Sequence, residues 1–380
     1  MSSSKVEPVS STAPSDQQTA ASARDAEATE LPAGFPAHIK SDLAWSGQDY
    51  ASSTSYIHFL TDRDIKEVEE GVELFKTWGL DGDKVSRENF PLPNLGPKLD
   101  KLRRELYDGK GFALVRGINP NKYTLEDGTL MYLGIQSYLS STRGRQDKVG
   151  NMLVHIVADD STALKASHHR HSTAPITFHN EEAGDVVSWF TKSTASQGGR
   201  CIIASAYTVY NVLAATRPDL VRLLARSDWP FAIPRFQCRP IIFNHEGRLV
   251  INFGRTPLMG SDGHPRPAHL PELSAGQKEA LDAIESIAQA TQLEIATQTG
   301  DMHFINNLAV FHRREGFVDG QTDDQKRHLV RMRLRDEELG WSIPPALQDE
   351  WSRAFDDERP QMWHLEPSPD GYFPLRSYAN

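Results

Sequence analysis

Apolar residues in the first third of the chain follow a helical spacing. The members of the first run recur at intervals of three and four residues, which places them on one face of a helix. They are Ile65, Val68, Val72 and Phe75. Thr61 or Asp62, just before this run, is available to cap its first turn. Two more helices are predicted by the same spacing, at residues 99–106 and 125–139.

From about residue 110 the pattern changes to short apolar runs between turn residues, which predicts strands. We expect strands at residues 112–117, 151–156, 186–190 and 201–204, and we expect the last two to pair with each other. Residues 240–245 and 248–253 flank a short turn and predict a hairpin. A later helix is predicted to open with a capping box of Ser274 and Gln277. Short strands with tight turns favour an antiparallel barrel.

The beginning of the chain lacks these patterns. Residues 1 to about 34 contain no aromatic residue and are rich in Ser, Ala, Thr and Glu, so they bury too little apolar surface to offset the entropy of ordering. We therefore predict a disordered tail over residues 1–34 and a single domain over residues 35–380. No apolar run approaches the roughly 18 residues of a membrane span. The tail also lacks the features of a signal or transit peptide.

Composition narrows the possible partners. The chain has 51 acidic and 41 basic residues, a formal net charge of -10, so no overall positive field attracts nucleic acid and we do not expect it as a partner. Two cysteines, Cys201 and Cys238, are too few for a disulfide framework and lack metal-site spacing. We predict a soluble, cytoplasmic protein that binds a small molecule, and leave open whether its copies associate.

The candidate chemistry lies in two segments far apart in the sequence. His179 and Glu181 form a His-x-acid pattern, and His312 follows far downstream. Two imidazoles and one carboxylate on one side of a divalent iron leave adjacent positions for a co-substrate and dioxygen. We therefore predict an iron(II) site of His179, Glu181 and His312. Glu182 makes the acidic ligand ambiguous, and Glu181 is favoured because side chains two apart share a strand face.

An arginine-rich segment follows the distal histidine. Alternation along residues 326–335 places Arg327, Leu329 and Arg331 on one face, so both arginines can enter one cavity. A guanidinium forms two parallel hydrogen bonds with a carboxylate, which suits a clamp for a small anion. We expect Arg333 and Arg335 to belong to a solvated basic edge instead.

Together these segments resemble the TauD/TfdA-like family of Fe(II)- and 2-oxoglutarate-dependent dioxygenases, in a fungal-type branch. The resemblance rests on Phe178-His179-Asn180-Glu181, Gly198-Gly199, Gly300-Asp301 with Asn307 and His312, and the strand from Arg327 to Arg331. It implies a mainly β protein with α additions, in which helices flank a double-stranded β-helix, or jelly-roll, core.

The resemblance also implies an activity. Iron(II) and 2-oxoglutarate are expected as cofactor and co-substrate, with Arg327 binding the distal carboxylate of 2-oxoglutarate. Hydrogen abstraction from a C–H bond then leads to hydroxylation, desaturation or ring closure. Arg331 is expected to bind 2-oxoglutarate or the substrate, for which we hypothesise a small carboxylate such as an amino acid of specialised metabolism. Asn307 is expected to orient a metal ligand.

Two positions depart from the family pattern. Glu181 stands where the family usually has Asp, and its extra methylene moves the carboxylate outward. Cys201 stands where the family commonly has Ser or Thr, and a thiol is a poorer donor to the 2-oxoglutarate tail.

Other polar residues are weaker candidates. Asn151 and His155 precede the His-x-acid pattern, where family members place substrate contacts, and we keep both as candidates for substrate binding. A histidine cluster has no carboxylate at ligand spacing and is interpreted as a solvated loop. It comprises His168, His169 and His171.

Two other functions remain open on the sequence. A zinc hydrolase also uses two His ligands and a carboxylate with an open water position, although it gives no role to the paired arginines. A cupin-like binding protein or an inactive relative is made more plausible by Glu181 and Cys201.

Overall fold

Two β-sheets form the centre of the structure, a computed structural model that describes residues 30–158, 172–261, 264–356 and 358–367. The helices of these ranges are α1 (Asp62–Thr77), α2 (Gly96–Tyr107), α3 (Leu125–Ser137), α4 (Ala206–Thr216), α5 (Pro218–Leu224), α6 (Arg255–Met259), α7 (Ala275–Thr291) and α8 (Pro345–Phe355).

The strands are numbered in chain order. They are β1 (Ile57–Phe59), β2 (Phe112–Arg116), β3 (Thr142–Gly144), β4 (Val154–Val157), β5 (Ile176–His179), β6 (Val186–Ser193), β7 (Gln197–Gly198), β8 (Cys201–Ser205), β9 (Trp229–Phe231), β10 (Gln237–Arg239), β11 (Ile242–His245), β12 (Arg248–Ile251), β13 (Gly260–Ser261), β14 (His264–Pro265), β15 (Leu293–Ile295), β16 (Met302–Asn306), β17 (Val310–Arg314), β18 (Phe317–Val318) and β19 (His328–Arg335).

The larger sheet has the order β1-β2-β16-β6-β19-β3, with β4 also pairing with β19. The smaller sheet has the order β15-β8-β17-β5. Pairing is antiparallel except between β1 and β2. Residues of both sheets line one cavity, so the sheets face each other around it. This arrangement, with helices packed outside, confirms the predicted jelly-roll core with α additions.

The capped helices begin where the sequence predicts. Thr61 and Asp64 form a capping box at the start of α1, and Ser274 and Gln277 form another at the start of α7. The predicted helices at 99–106 and 125–139 correspond to α2 and α3. The predicted hairpin is β11 with β12, which pair through Asn244 and Leu249 among others.

The expected pairing of residues 186–190 with 201–204 is wrong. Strand β6 lies between β16 and β19 in the larger sheet, whereas β8 lies between β15 and β17 in the smaller one. Strand β6 is buried along nearly its whole length, so it requires neighbours on both edges. The Gly198-Gly199 turn, with φ of 73° and 71°, then carries the chain from one sheet to the other.

The predicted strand at 151–156 is shorter than expected, since β4 begins only at Val154. The histidines at 168, 169 and 171 lie outside the described residues, as does most of the predicted tail, residues 1–29. The single domain over residues 35–380 stays a prediction. Within the described ranges, no helix has both the length and the hydropathy to cross a bilayer.

Candidate metal centre and its cavity

The three predicted ligands lie close together between the sheets. His179 ends β5 and pairs with His312 of β17, so the two rings are neighbours with centroids 4.3 Å apart. Glu181 follows β5, and its Oε1 lies 4.0 Å from His179 Nε2 and 3.9 Å from His312 Nε2. One ligand atom from each residue lies within 4.8 Å of the others. Among the described residues, no other group of His, Cys, Asp and Glu has this geometry.

The donor set fits a divalent metal. Nδ1 of His179 lies 2.9 Å from the carbonyl oxygen of Thr177, which can only accept, so Nδ1 carries the proton and Nε2 keeps its lone pair. Nδ1 of His312 is buried and has no hydrogen-bond partner in the described part of the chain. Two imidazole nitrogens and one carboxylate oxygen on one side of a site are the ligand set of many iron(II) oxygenases.

The backbone of Glu181 is fixed by amide side chains. Asn307, fully buried, accepts from Glu181 N through Oδ1 at 2.7 Å and donates from Nδ2 to Glu181 O at 3.0 Å. Asn252 Nδ2 donates to the same carbonyl oxygen at 3.0 Å. Because Glu181 lies just beyond its strand, these amides provide the hydrogen bonds that a sheet neighbour would otherwise give. Asn307 therefore lies where its predicted orienting role requires.

Asn180, between the two ligands of the His-x-acid pattern, forms hydrogen bonds with Phe253 and Asn307. Its backbone nitrogen donates to Phe253 O at 2.7 Å, its Oδ1 accepts from Phe253 N at 3.1 Å, and its Nδ2 donates to Asn307 O at 2.8 Å. The sequence reasoning missed Asn180 and Asn252. Asn180 could have been found from the sequence, because successive side chains of a strand point to opposite faces. A residue between His179 and Glu181 therefore points away from the metal ligands and toward the other side of the strand.

Two buried arginines of β19 contact the tandem acids. Arg331 forms an ion pair with Glu181 Oε1 and donates from Nε to Gln146 Oε1 at 2.8 Å. Arg333 Nη2 lies 3.3 Å from Glu181 Oε2 and 2.7 Å from Glu182 Oε1. The expectation that Arg333 is solvated is wrong: it is 4% exposed, because β19 lies inside the sheet and its face is covered by the ligand loop.

Arg327 and Arg331 enter one cavity, as the alternation predicts, and Leu329 lies between them on the same wall. The guanidinium of Arg327 is buried, and it has no hydrogen-bond or ion-pair partner among the residues that the structure describes. Burial lowers the pKa of Arg327 to about 10. Gly199 leaves room for this side chain, since a Cβ there would lie 3.1 Å from Arg327 Cδ.

Cys201 lines the same cavity. Burial raises the pKa of its thiol to about 12, against a smaller opposing effect of the Arg327 charge. The thiol is therefore neutral at physiological pH, and it neutralises none of the charge of Arg327. The cavity encloses about 1250 Å³, including the solvent at its mouth.

The structure does not bring Asn151 and His155 to this cavity. Neither is among its described lining residues, whereas the next residue of β4, Ile156, is. His155 lies on the opposite face and contacts His328 Nε2 at 2.8 Å and His364 O at 2.7 Å. Asn151 Oδ1 accepts from His364 Nε2 at 2.8 Å. Both side chains thus hold the segment around His364.

The sequence is similar to a known family and to known proteins. The family model "Taurine catabolism dioxygenase TauD, TfdA family" matches residues 76–333. The taurine hydroxylase-like protein SAT17 of Stachybotrys chartarum is 33% identical over 345 residues, which are 87% of this chain and 89% of that protein. FR-33289 synthase of Streptomyces rubellomurinus is 23% identical over 316 residues, 80% of this chain and 91% of that protein.

Solved structures share the fold. An asparagine oxygenase in complex with Fe(II), 2S,3S-3-hydroxyasparagine and succinate has a TM-score of 0.59 at 16% identity, covering 75% of this chain and 98% of that one. The non-heme iron oxygenase OrfP in complex with Fe and alpha-ketoglutaric acid has a TM-score of 0.53 at 14% identity, covering 74% and 94%. The family model matches more than half of the chain, and the relative SAT17 is 33% identical over 87% of it. The chain therefore belongs to the TauD/TfdA dioxygenase family.

Proposed function

We propose that the chain is an Fe(II)- and 2-oxoglutarate-dependent dioxygenase that removes hydrogen from a C–H bond of a small carboxylate-bearing substrate. One observation carries the proposal: the His179, Glu181 and His312 cluster and the buried guanidinium of Arg327 face the same cavity. A buried charge without a counter-ion is costly. A dicarboxylate that chelates a metal at one end and meets Arg327 at the other removes that cost.

Each residue then has a distinct role. His179, Glu181 and His312 hold iron(II), which when bound supplies the activation of dioxygen. Arg327 pairs with the distal carboxylate of 2-oxoglutarate through two parallel hydrogen bonds. Cys201 stays a neutral neighbour of that carboxylate. The arginine therefore provides most of the charge that holds the co-substrate.

Arg331 has a role that depends on the metal. Its guanidinium forms an ion pair with Glu181 and lies beside the proposed metal ligands. A metal held by Glu181 would share that negative charge. Arg331 would then be placed to meet a carboxylate of the substrate or the metal-side carboxylate of 2-oxoglutarate.

The cavity walls determine where the reaction occurs. Ile156, Trp189 and Leu329 present apolar surface beside the ligands, which limits water near the reacting atoms and fixes the substrate carbon in place. Hydroxylation, desaturation and ring closure all begin with the same removal of hydrogen. The related oxygenase OrfP has been solved in complex with Fe and L-Arg, which supports a carboxylate-bearing substrate such as an amino acid.

We further propose that dioxygen is the second co-substrate and that the protein acts in the cytoplasm. The support for the location is that Cys201 and Cys238 are both free thiols, which a reducing compartment preserves.

The activity is tested in three steps. The metal content of protein purified without chelators is measured, the protein is loaded anaerobically with Fe(II) and 2-oxoglutarate, and it is then exposed to oxygen. We expect oxygen-dependent succinate release with iron and none with zinc. Hydrolysis by the zinc-loaded protein, or binding of small molecules without any metal, would support the other two functions.

A further inference from the structure

We propose that Arg239 is a positioning residue for the metal ligand Glu181 and that it acts through the side chain of Asn252. The proposal rests on the proposed function, which assigns Glu181 to iron(II). Neither Arg239 nor Asn252 is among the described residues that line the cavity. Both act from behind the ligand loop, without contact to a substrate or co-substrate.

The orientation of the Asn252 amide is set by Arg239. Arg239 Nη2 donates to Asn252 Oδ1 at 2.5 Å, and Asn252 Nδ2 donates to the carbonyl oxygen of Glu181 at 3.0 Å. A guanidinium offers only donors, so the amide turns its oxygen toward Arg239 and its nitrogen toward Glu181. Without the arginine, the amide is free to rotate by half a turn, which would place its oxygen against the Glu181 carbonyl with no donor between them.

The carbonyl oxygen of Glu181 is held from two directions. It accepts one hydrogen bond from Asn252 Nδ2 and one from Asn307 Nδ2, each at 3.0 Å, which occupies both of its lone pairs. Asn307 lies in the turn between β16 and β17, whereas Asn252 follows β12. Because a side chain follows its backbone, fixing this peptide group restrains where the Glu181 carboxylate lies relative to His179 and His312.

The hairpin of β11 and β12 brings Arg239 and Asn252 together beside the ligand loop. Arg239 ends β10, and after the hairpin Asn252 N donates to Ile241 O at 2.9 Å. Two residues further along, Gly254 forms an antiparallel β-bridge with His179. The chain after Asn252 thus accompanies the ligand loop like an additional strand, and Arg239 is connected to that loop through one side chain.

The charge of Arg239 is poorly compensated for a residue that only fills space. Its side chain is 4% exposed, and its two hydrogen bonds among the described residues go to neutral acceptors, Asn252 Oδ1 and Pro240 O. The guanidinium lies over the ring of Phe231, 3.6 Å from its centroid. Burial lowers the pKa of Arg239 to about 9, against a smaller opposing effect of the Glu350 charge, so the group stays charged at physiological pH. A buried cation with neutral partners costs stability. An apolar side chain would avoid that cost, but it could not fix the Asn252 amide.

The Fe(II) affinities of two single variants and of their combination test the proposal, measured by anaerobic calorimetric titration. Arg239→Met and Asn252→Ala should each weaken Fe(II) binding by about 10-fold, since partners that orient a metal ligand contribute about 10- to 100-fold in affinity. The double variant should also lose only about 10-fold, because both changes break the same connection. An unchanged affinity in either single variant, or a loss of about 100-fold in the double variant, would overturn the proposal.

Asn252→Asp separates positioning from general stability. Its carboxylate gives the buried Arg239 a counter-ion, so the temperature of thermal unfolding should not fall. Its second oxygen faces the Glu181 carbonyl without a donor between them, so Fe(II) binding should still weaken by about 10-fold. A residue that only holds the fold together would not produce this combination. Normal iron binding by Asn252→Asp would contradict the proposal.

Two further variants complete the comparison. Arg239→Lys retains a group that can only donate, and it should recover part of the iron affinity that Arg239→Met loses. Arg235→Met is the matched control, because Arg235 pairs with Asp349 and Glu350 of α8 rather than with the ligand loop, and it should bind Fe(II) as the wild type does. An equal loss in Arg235→Met would make the effect unspecific and overturn the assignment. If the wild-type protein does not bind Fe(II), the proposed function fails; if it binds Fe(II) and Arg239→Met binds it equally well, only the role of Arg239 fails.

Discussion

Arg331 and Glu181 form an ion pair between two side chains that are 5% and 6% exposed. The guanidinium supplies the positive charge that the carboxylate requires in a buried site. The backbone of Glu181 is also bonded to Asn307. The position of Glu181 is therefore fixed by the protein itself, and a metal held by this carboxylate would share it with an arginine.

The first prediction concerns the histidines. His179→Ala and His312→Ala should each lower the affinity for Fe(II) by at least about 100-fold, because each removes one of three ligands. The far-UV spectrum and thermal unfolding should change little. His245→Ala is the matched control, since His245 lies in the β11–β12 hairpin and contacts Ser342. Normal iron binding by either ligand variant would refute the triad.

The second prediction distinguishes the tandem acids. Glu181→Gln should abolish iron binding, whereas Glu182→Gln should retain it, because only Glu181 lies within ligand distance of both histidines. Glu181→Gln also removes the negative charge that pairs with the buried Arg331, which should lower the free energy of unfolding by roughly 3–5 kcal/mol. Glu182 is half-exposed, so its variant should cost at most about 1 kcal/mol. Iron titration and chemical denaturation give both values. The opposite order of iron affinities would move the ligand to Glu182.

The third prediction is that one substitution strengthens the fold and weakens binding. Arg327→Met removes a buried cation that has no hydrogen-bond or ion-pair partner among the described residues and lies over the ring of Phe317, so the protein without ligands should unfold at a higher temperature. The same change should cost roughly 2–5 kcal/mol of 2-oxoglutarate binding. Arg327→Lys should recover only part of that loss, because an ammonium lacks the planar fork of the guanidinium. Calorimetric titration and a melting curve measure the two effects. An unchanged Kd for 2-oxoglutarate would remove the assignment.

The fourth prediction separates the roles of the two cavity arginines. Arg331→Gln should weaken substrate binding far more than it weakens 2-oxoglutarate binding, since we assign Arg331 to the anionic group of the substrate. The measurement is the Kd of each ligand for the iron-loaded protein under anaerobic conditions. Selective loss of 2-oxoglutarate binding alone would instead give Arg331 to the co-substrate.

The fifth prediction concerns a buried acid behind the ligand loop. Burial raises the pKa of Asp185 to about 7, against the opposing hydrogen bond from Trp351 Nε1 at 2.8 Å. The folded protein therefore binds a proton that the unfolded chain releases near its usual pKa of about 3.9. This contribution to stability is fully present below about pH 4 and is lost as the pH rises to about 7. Asp185→Asn should remove that slope from unfolding curves recorded at several pH values; an identical slope in the variant would contradict the assignment.

Local patterns in the sequence predicted much of this structure. The cap in front of the first helix and the alternation from Arg327 to Arg331 depend on neighbours in the chain, and both predictions are confirmed. The partners of β6 are β16 and β19, and those of β8 are β15 and β17. All four strands lie far along the chain, and the pairing was predicted wrongly. The alternation along β19 also shows on which face of the strand Arg333 lies. It does not show that other parts of the protein cover this face, so the burial of Arg333 was not predicted. His155 was kept as a candidate because the sequence does not show which face of β4 turns to the cavity.

The most direct test of the central claim compares 2-oxoglutarate with glutarate, which has the same two carboxylates but no keto oxygen. Both are titrated into the protein by calorimetry without metal and after anaerobic loading with Fe(II). If the ligand spans from the metal held by His179, Glu181 and His312 to Arg327, iron should increase the affinity for 2-oxoglutarate by at least about 100-fold and that for glutarate far less. Equal affinities with and without iron, or an equal gain for both ligands, would contradict the account.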